Sequence, residues 1–226
     1  MDIKRNLLWF IRSGITECIT ENPTTKILPA TDIPTSHQAS SVAVQATSLD
    51  ELNASKQSFE QCPLRKTAAH TLLGRGITKP KLMCIVVAPN TDSDKSGTAF
   101  DGQTGQLLAR MLKAIHLTMD HHTYCTYLSP WRAPGNRDLT ESEIATLKPF
   151  LDKEIDFVQP QIILLFGSQL SKALLDIDSL SKARHIWHTY HNIPTRVSLS
   201  LDTIKTTTQR QQAWEDLQEI QKKLDQ

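Results

Sequence analysis

Histidines at regular spacing are the first groups in this chain that could do chemistry. His185, His188 and His191 recur every three residues, a pattern that can bring imidazoles to one metal ion. No cysteine or carboxylate accompanies them, and the turn residues Asn192-Ile193-Pro194 follow at once. The segment is therefore expected to be an exposed loop, with no metal bound. His121-His122 is expected to form a polar turn ahead of a strand. The four cysteines, Cys18, Cys62, Cys84 and Cys125, make no Cys-x-x-Cys pair. Cys84 and Cys125 lie inside apolar runs, so buried thiols are expected rather than a disulfide framework. Ser96-Gly97 lacks the Lys-Ser/Thr ending of a phosphate-cradling loop, which leaves nucleotide binding without support.

These groups need a scaffold, and composition bounds it. The chain has 226 residues, 39% hydrophobic and 22% charged, enough for one sizeable core. A formal net charge of +1 excludes a polybasic nucleic-acid coat while leaving room for a local basic face. No apolar run approaches a membrane span, and the N-terminal stretch lacks a small-residue cleavage site. A cytoplasmic location without membrane contact is expected. Ile3, Leu7, Phe10 and Ile11 stand at helical spacing, which predicts an N-terminal helix within residues 1–20. Residues 21–47, rich in Thr, Pro, Ser and Ala, are expected to be a flexible linker to a domain spanning 48–226.

Within that domain strands and helices alternate. Ser48 is placed to cap a helix through Phe59 with Leu49, Leu52 and Phe59 inward. Residues 82–88, 123–128, 162–166 and 195–199 are the strand candidates; the nearly continuous apolar runs among them suit strands covered on both faces. Between them fall a helix bearing Leu107, Leu108, Met111, Leu112 and Ile115, and another opened by the capping box Thr140 and Glu143. A helix at 168–175 follows, and a last one is expected to bury Trp214, Leu217, Ile220 and Leu224. The fold class is thus α/β: three α/β/α layers around a central four-stranded, mostly parallel sheet. Any site should lie where the loops after Ala88, Leu128, Gly167 and Leu199 meet, beyond the carboxyl ends of the strands.

Three segments carry a more specific signal: residues 88–112 (APNTDSDKSGTAFDGQTGQLLARML), 129–144 (SPWRAPGNRDLTESEI) and 212–217 (QAWEDL). In this order they resemble a bacterial, family 4-like branch of the uracil-DNA glycosylase superfamily, and the likeness covers most of the chain. In the first segment Ala88, Pro89, Asp94, Gly97, Phe100, Gly102 and Gly105 match the family pattern. Val86 and Val87 replace its opening glycine and glutamate, Asn90 its second glycine and Ser93 a later glutamate. Tyr127 stands where the family reads uracil with asparagine, and Leu199 and Ser200 replace its histidine and proline.

The resemblance implies a pocket for a flipped uracil lined by Pro89, Asn90, Phe100, Tyr127 and Leu199. Phe100 is either the ring that stacks on uracil or a core aromatic. Arg132, Asn136 and Arg137 either touch DNA phosphates or shape the rim, with Arg137 paired to a carboxylate. Cleavage needs a carboxylate or positioned water and a donor for the departing base, and Val87 and Leu199 supply neither. The family's four-iron four-sulphur cluster is expected to be absent, because Phe59, Trp131 and Leu147 stand at three ligand positions and only Cys62 remains.

Three functions follow as expectations. One is a repair or replication protein without base excision, retained for binding DNA or a protein. Another is an active uracil-DNA glycosylase using Asp92, Asp94 or Tyr127, with Asp94 the catalytic candidate. The last is a replisome adaptor similar to the clamp-loader psi subunit, with a protein partner held through residues 1–20; the stretch 12–23 is loosely similar to that subunit's peptide.

Overall fold

The computed structural model describes residues 45–226. The N-terminal helix, Cys18 and all but the last three residues of the expected linker lie outside that range. The order is α1 (Leu49–Ser58), β1 (Arg75–Gly76), β2 (Leu82–Val86), α2 (Thr91–Ser96), α3 (Gly102–Ala114), β3 (Thr123–Tyr127) and α4 (Glu141–Val158). Then come β4 (Ile162–Phe166), α5 (Ser168–Leu175), α6 (Leu180–Arg184), β5 (His188–Tyr190), β6 (Ile193–Ser198) and α7 (Thr207–Leu224).

The sheet runs β1-β3-β2-β4-β6-β5. Strands β3, β2, β4 and β6 are parallel, in register from Leu82 opposite Thr123 and Ile162. They are the four strands legible in the sequence. The expected four-stranded sheet is corrected to six, because β1 and β5 add short antiparallel edges. Neither edge has an apolar run; β5 exists because left-handed His191 and Asn192 (φ 49° and 61°) turn the chain tightly back from β6. The same hairpin corrects the exposed loop expected at 185–191, since His188 lies in β5 and its Nε2 bonds the Ala183 carbonyl at 2.9 Å.

Alternation along the parallel strands explains the layers. Met83, Ile85, Tyr124, Ile163, Leu165 and Val197 face α1, α4 and α5, with Leu52, Leu147, Leu151 and Leu170. Leu82, Cys84, Cys125, Tyr127, Ile162, Leu164 and Phe166 face α3 and α7, with Leu108, Leu112, Leu217 and Ile220. Every other residue thus enters a different layer, as a strand covered on both faces requires. Trp214 departs from expectation: its ring is 39% exposed on α7, since the buried stripe of that helix runs through Ala213, Leu217 and Ile220. Cys62, Cys84 and Cys125 are buried free thiols.

The first layer also holds a charge. Glu154, fully buried on α4, takes the Lys56 ammonium at 2.7 Å and the Tyr124 hydroxyl at 2.8 Å. The Thr126 hydroxyl lies 3.1 Å from both of its oxygens. These partners join α1, α4 and β3 through one carboxylate.

Candidate functional site

The carboxyl ends of β2, β3, β4 and β6 open on one rim, and the loops that follow bring the sequence candidates to it. The rim's first loop is built by local chemistry. Asn90 caps α2 by accepting the Ser93 N–H at 2.8 Å, and Gly97 ends that helix in the left-handed region at φ 71°. Phe100 also takes positive φ, 58°, which is strained for a bulky side chain. Gly105 lets α3 approach it, since a Cβ there would stand 1.6 Å from the Phe100 carbonyl oxygen. Gly102, at φ 73°, leaves room in the same way for the Asp92 carboxylate.

Held so, Phe100 lies flat on Tyr127. Their ring centroids are 4.4 Å apart and the planes differ by 7°. The Phe100 N–H donates to the Tyr127 hydroxyl oxygen at 2.7 Å. Both rings are buried, and Leu199 packs at the edge of their cluster with Leu201 and Ile204. Val87 packs on the opposite face of the sheet. Burial pushes the Tyr127 phenol up to about 12, against the pull of the Phe100 N–H, so it stays protonated near neutrality. It therefore offers no oxyanion.

Asp94 and Arg132 form a second unit beside this stack. Arg132 Nε donates to Asp94 Oδ2 at 3.0 Å, while the N–H groups of Ala69 and His70 reach Oδ1 at 2.9 and 3.3 Å. Burial pushes this carboxyl up, but Arg132 and the two N–H groups outweigh it and hold it below its ordinary value. Asp94 is thus an anchored carboxylate with its oxygens already engaged. A carboxyl depressed by folding stabilises the chain above its unfolded value of about 3.9, and that contribution is lost as pH falls through the lower folded value. The stability gap between this chain and Asp94→Asn should stay level above about pH 5 and close below about pH 4 in urea unfolding. A gap that widened on acidification would mean that Asp94 is not held as a carboxylate.

The loop after β3 completes the rim. Arg132 also donates to Asn136 Oδ1 at 3.2 Å, and Asn136 Nδ2 reaches Thr91 Oγ1 at 3.3 Å. Arg137 forks onto Glu143 at 2.9 and 2.7 Å, and Glu143 closes the capping box with Thr140. Asn136, Arg132 and Arg137 therefore lie within one rim, each with partners in this chain. Pro89 is buried.

Sequence reasoning did not identify the groove beside this rim. It measures about 860 Å³ and is lined by Gln103, Thr104, Arg110, Asn136, Lys205 and Arg210, among others. Its basic residues are dispersed over α3, a loop and α7, so no local run of charge announces it.

A parallel α/β/α sheet with its polar loops gathered at the carboxyl rim places any site beyond the ends of the strands. The chain belongs to the uracil DNA glycosylase superfamily, whose family model matches residues 73–218. It is similar to the type-4 uracil-DNA glycosylase of Sulfurisphaera tokodaii, 30% identical over 148 residues, covering 62% of this chain and 67% of that protein. The type-4 enzyme of Saccharolobus solfataricus is 31% identical over 137 residues, 58% of this chain and 63% of that one. That of Archaeoglobus fulgidus is 29% identical over 133 residues, 59% and 66%. Among the described residues no helix is long and apolar enough to cross a membrane.

These relatives overturn one expectation. They are type-4 glycosylases, the type associated with a four-iron four-sulphur cluster, so the expected absence of that cofactor does not stand. Of the four positions, Cys62 offers a buried thiol pushed up to about 11 by burial. Phe59 and Trp131 stack at 6.4 Å beside it, and Phe59 meets Phe150 edge-on at 5.1 Å. These side chains do not fit a four-thiolate ligand set, and among the described residues no three His, Cys, Asp or Glu side chains converge as ligands.

Proposed function

We propose that this protein engages DNA as a member of the repair glycosylase superfamily while its own Tyr127 fills the place of the flipped base. The observation that carries the reading is the Phe100–Tyr127 stack, 4.4 Å apart and nearly parallel. Phe100 is the residue on which the family stacks uracil, and the Tyr127 hydroxyl takes the Phe100 N–H that a base carbonyl would otherwise accept. Leu199 packs at that slot and Val87 on the other face of the sheet, neither of them a base or a donor to a departing uracil anion, and the protonated Tyr127 phenol is no base. Asp94, the acid best placed by resemblance, is committed to Arg132. The groups that would contact backbone phosphates are Arg132, Asn136 and Arg137.

A second reading has its own support. The relatives' names favour uracil excision over a non-excising role, and on that reading Tyr127 swings out to admit a base while Asp94 or Asp92 assists cleavage. An excision assay on single-stranded and U·G-mismatched DNA, with a salt titration of DNA binding, separates the two. The expected result is no cleavage, together with binding that weakens steeply with salt. Cleavage lost in Phe100→Ala and Asp94→Ala would establish excision instead. Failure to hold DNA at low salt would overturn both readings in favour of an adaptor role.

A further inference from the structure

The groove beside the rim continues between two helices. Beyond Leu107, Arg110, Ile204 and Arg210 it runs into a second recess of about 250 Å³ between α3 and α7. Those four residues line both spaces. The recess is walled by Met111, Ala114, Ala213 and Leu217, and the half-exposed ring of Trp214 stands at it. Two chemistries therefore adjoin. The larger groove carries three exposed cations, Arg110, Lys205 and Arg210, against one carboxylate, Asp202, which accepts the Thr104 hydroxyl at 3.1 Å. The smaller one is apolar with an indole at its edge.

We infer that this double groove binds a stretch of single-stranded DNA running from the rim, with phosphates on Arg110, Lys205 and Arg210 and one base stacked on Trp214 in the α3–α7 recess. Charge complementarity selects a polyanion, since no single side chain there would hold a compact anion on its own. A lone base stack in a cation-lined channel is the arrangement by which proteins hold single strands without reading sequence. Duplex DNA keeps its bases stacked on one another and has none to give to Trp214. Asn136 lines the groove and bonds Arg132, so the strand would pass the rim on its way to the recess. This inference rests on the proposed engagement of DNA and adds where the strand lies.

The test uses the full chain and a fluorescein-labelled oligothymidylate eight nucleotides long, followed by anisotropy and by tryptophan emission. Binding should quench the emission, and Trp214→Ala should abolish most of that quench and weaken binding about tenfold. Trp214→Phe should restore most of the affinity, which a merely structural loss of the indole would not do. Arg110→Ala with Arg210→Ala should weaken binding and make the salt slope shallower by about 1.4. Oligonucleotide binding that is equal in all these variants, with unchanged emission, would overturn the groove while leaving DNA engagement at the rim intact. No binding by the unmodified chain at low salt would overturn both.

Discussion

Replacing Glu154 by alanine should lower the stability of the domain by about 3–5 kcal/mol, near 10 °C in melting temperature. Glu154 is fully buried and Lys56 is 4% exposed, so the substitution strands an ammonium that water cannot reach. The hydroxyls of Tyr124 and Thr126 lose their acceptor at the same time. Glu154→Gln keeps an oxygen for those hydroxyls but leaves Lys56 uncompensated, and should fall between. Adding Lys56→Met to Glu154→Gln should return most of the lost stability, because a buried ion pair replaced on both sides costs little. Chemical denaturation of the three variants checks this. If the double variant were as unstable as Glu154→Ala, the ion pair itself would be the source of stability.

Tyr127→Ala should empty the slot over Phe100 and make it a site for free uracil. The unmodified protein should show no thermal shift with uracil, because the phenol ring already lies 4.4 Å from Phe100. In the variant the cavity should cost about 3 kcal/mol. The freed Phe100 N–H would point into it, ready to donate to a base carbonyl. Uracil at ten times its dissociation constant should then return about 1.4 kcal/mol, a rise of about 3–5 °C. Tyr127→Asn, which leaves a smaller cavity and adds an amide, should respond in the same sense. A folded variant indifferent to uracil would show that the loop around Phe100 collapses into the space, and the idea of a self-filled base slot would be lost.

The two experiments probe features that differ in how they are encoded. The parallel strands were readable in Leu82–Val86 and Ile162–Phe166 because burial on both faces demands an unbroken apolar run, which is a local property. The capping of α1 by Ser48 and of α4 by Thr140 with Glu143 was readable for the same reason, since each contact spans three residues. Edge strands β1 and β5 were not readable. They are two and three residues long, and only pairing with β3 and β6 makes them strands.

Which side chains stand at the rim was likewise written in the sequence, through the motif from Ala88 to Gly105 and the loop Trp131–Arg137. What those side chains do there was decided only in three dimensions. Tyr127 lies on Phe100 because β3 ends beside a loop that Gly97, Gly102 and Gly105 let fold back. Arg132 finds Asp94 across 38 residues, and Lys56 finds Glu154 across 98. The groove is shaped by α3 meeting α7, with about a hundred residues between them. Local sequence sets the propensity of a segment and the types of its side chains. Pairing, cavity shape and the fate of a buried charge depend on which distant segment arrives opposite, and only the packed chain determines that.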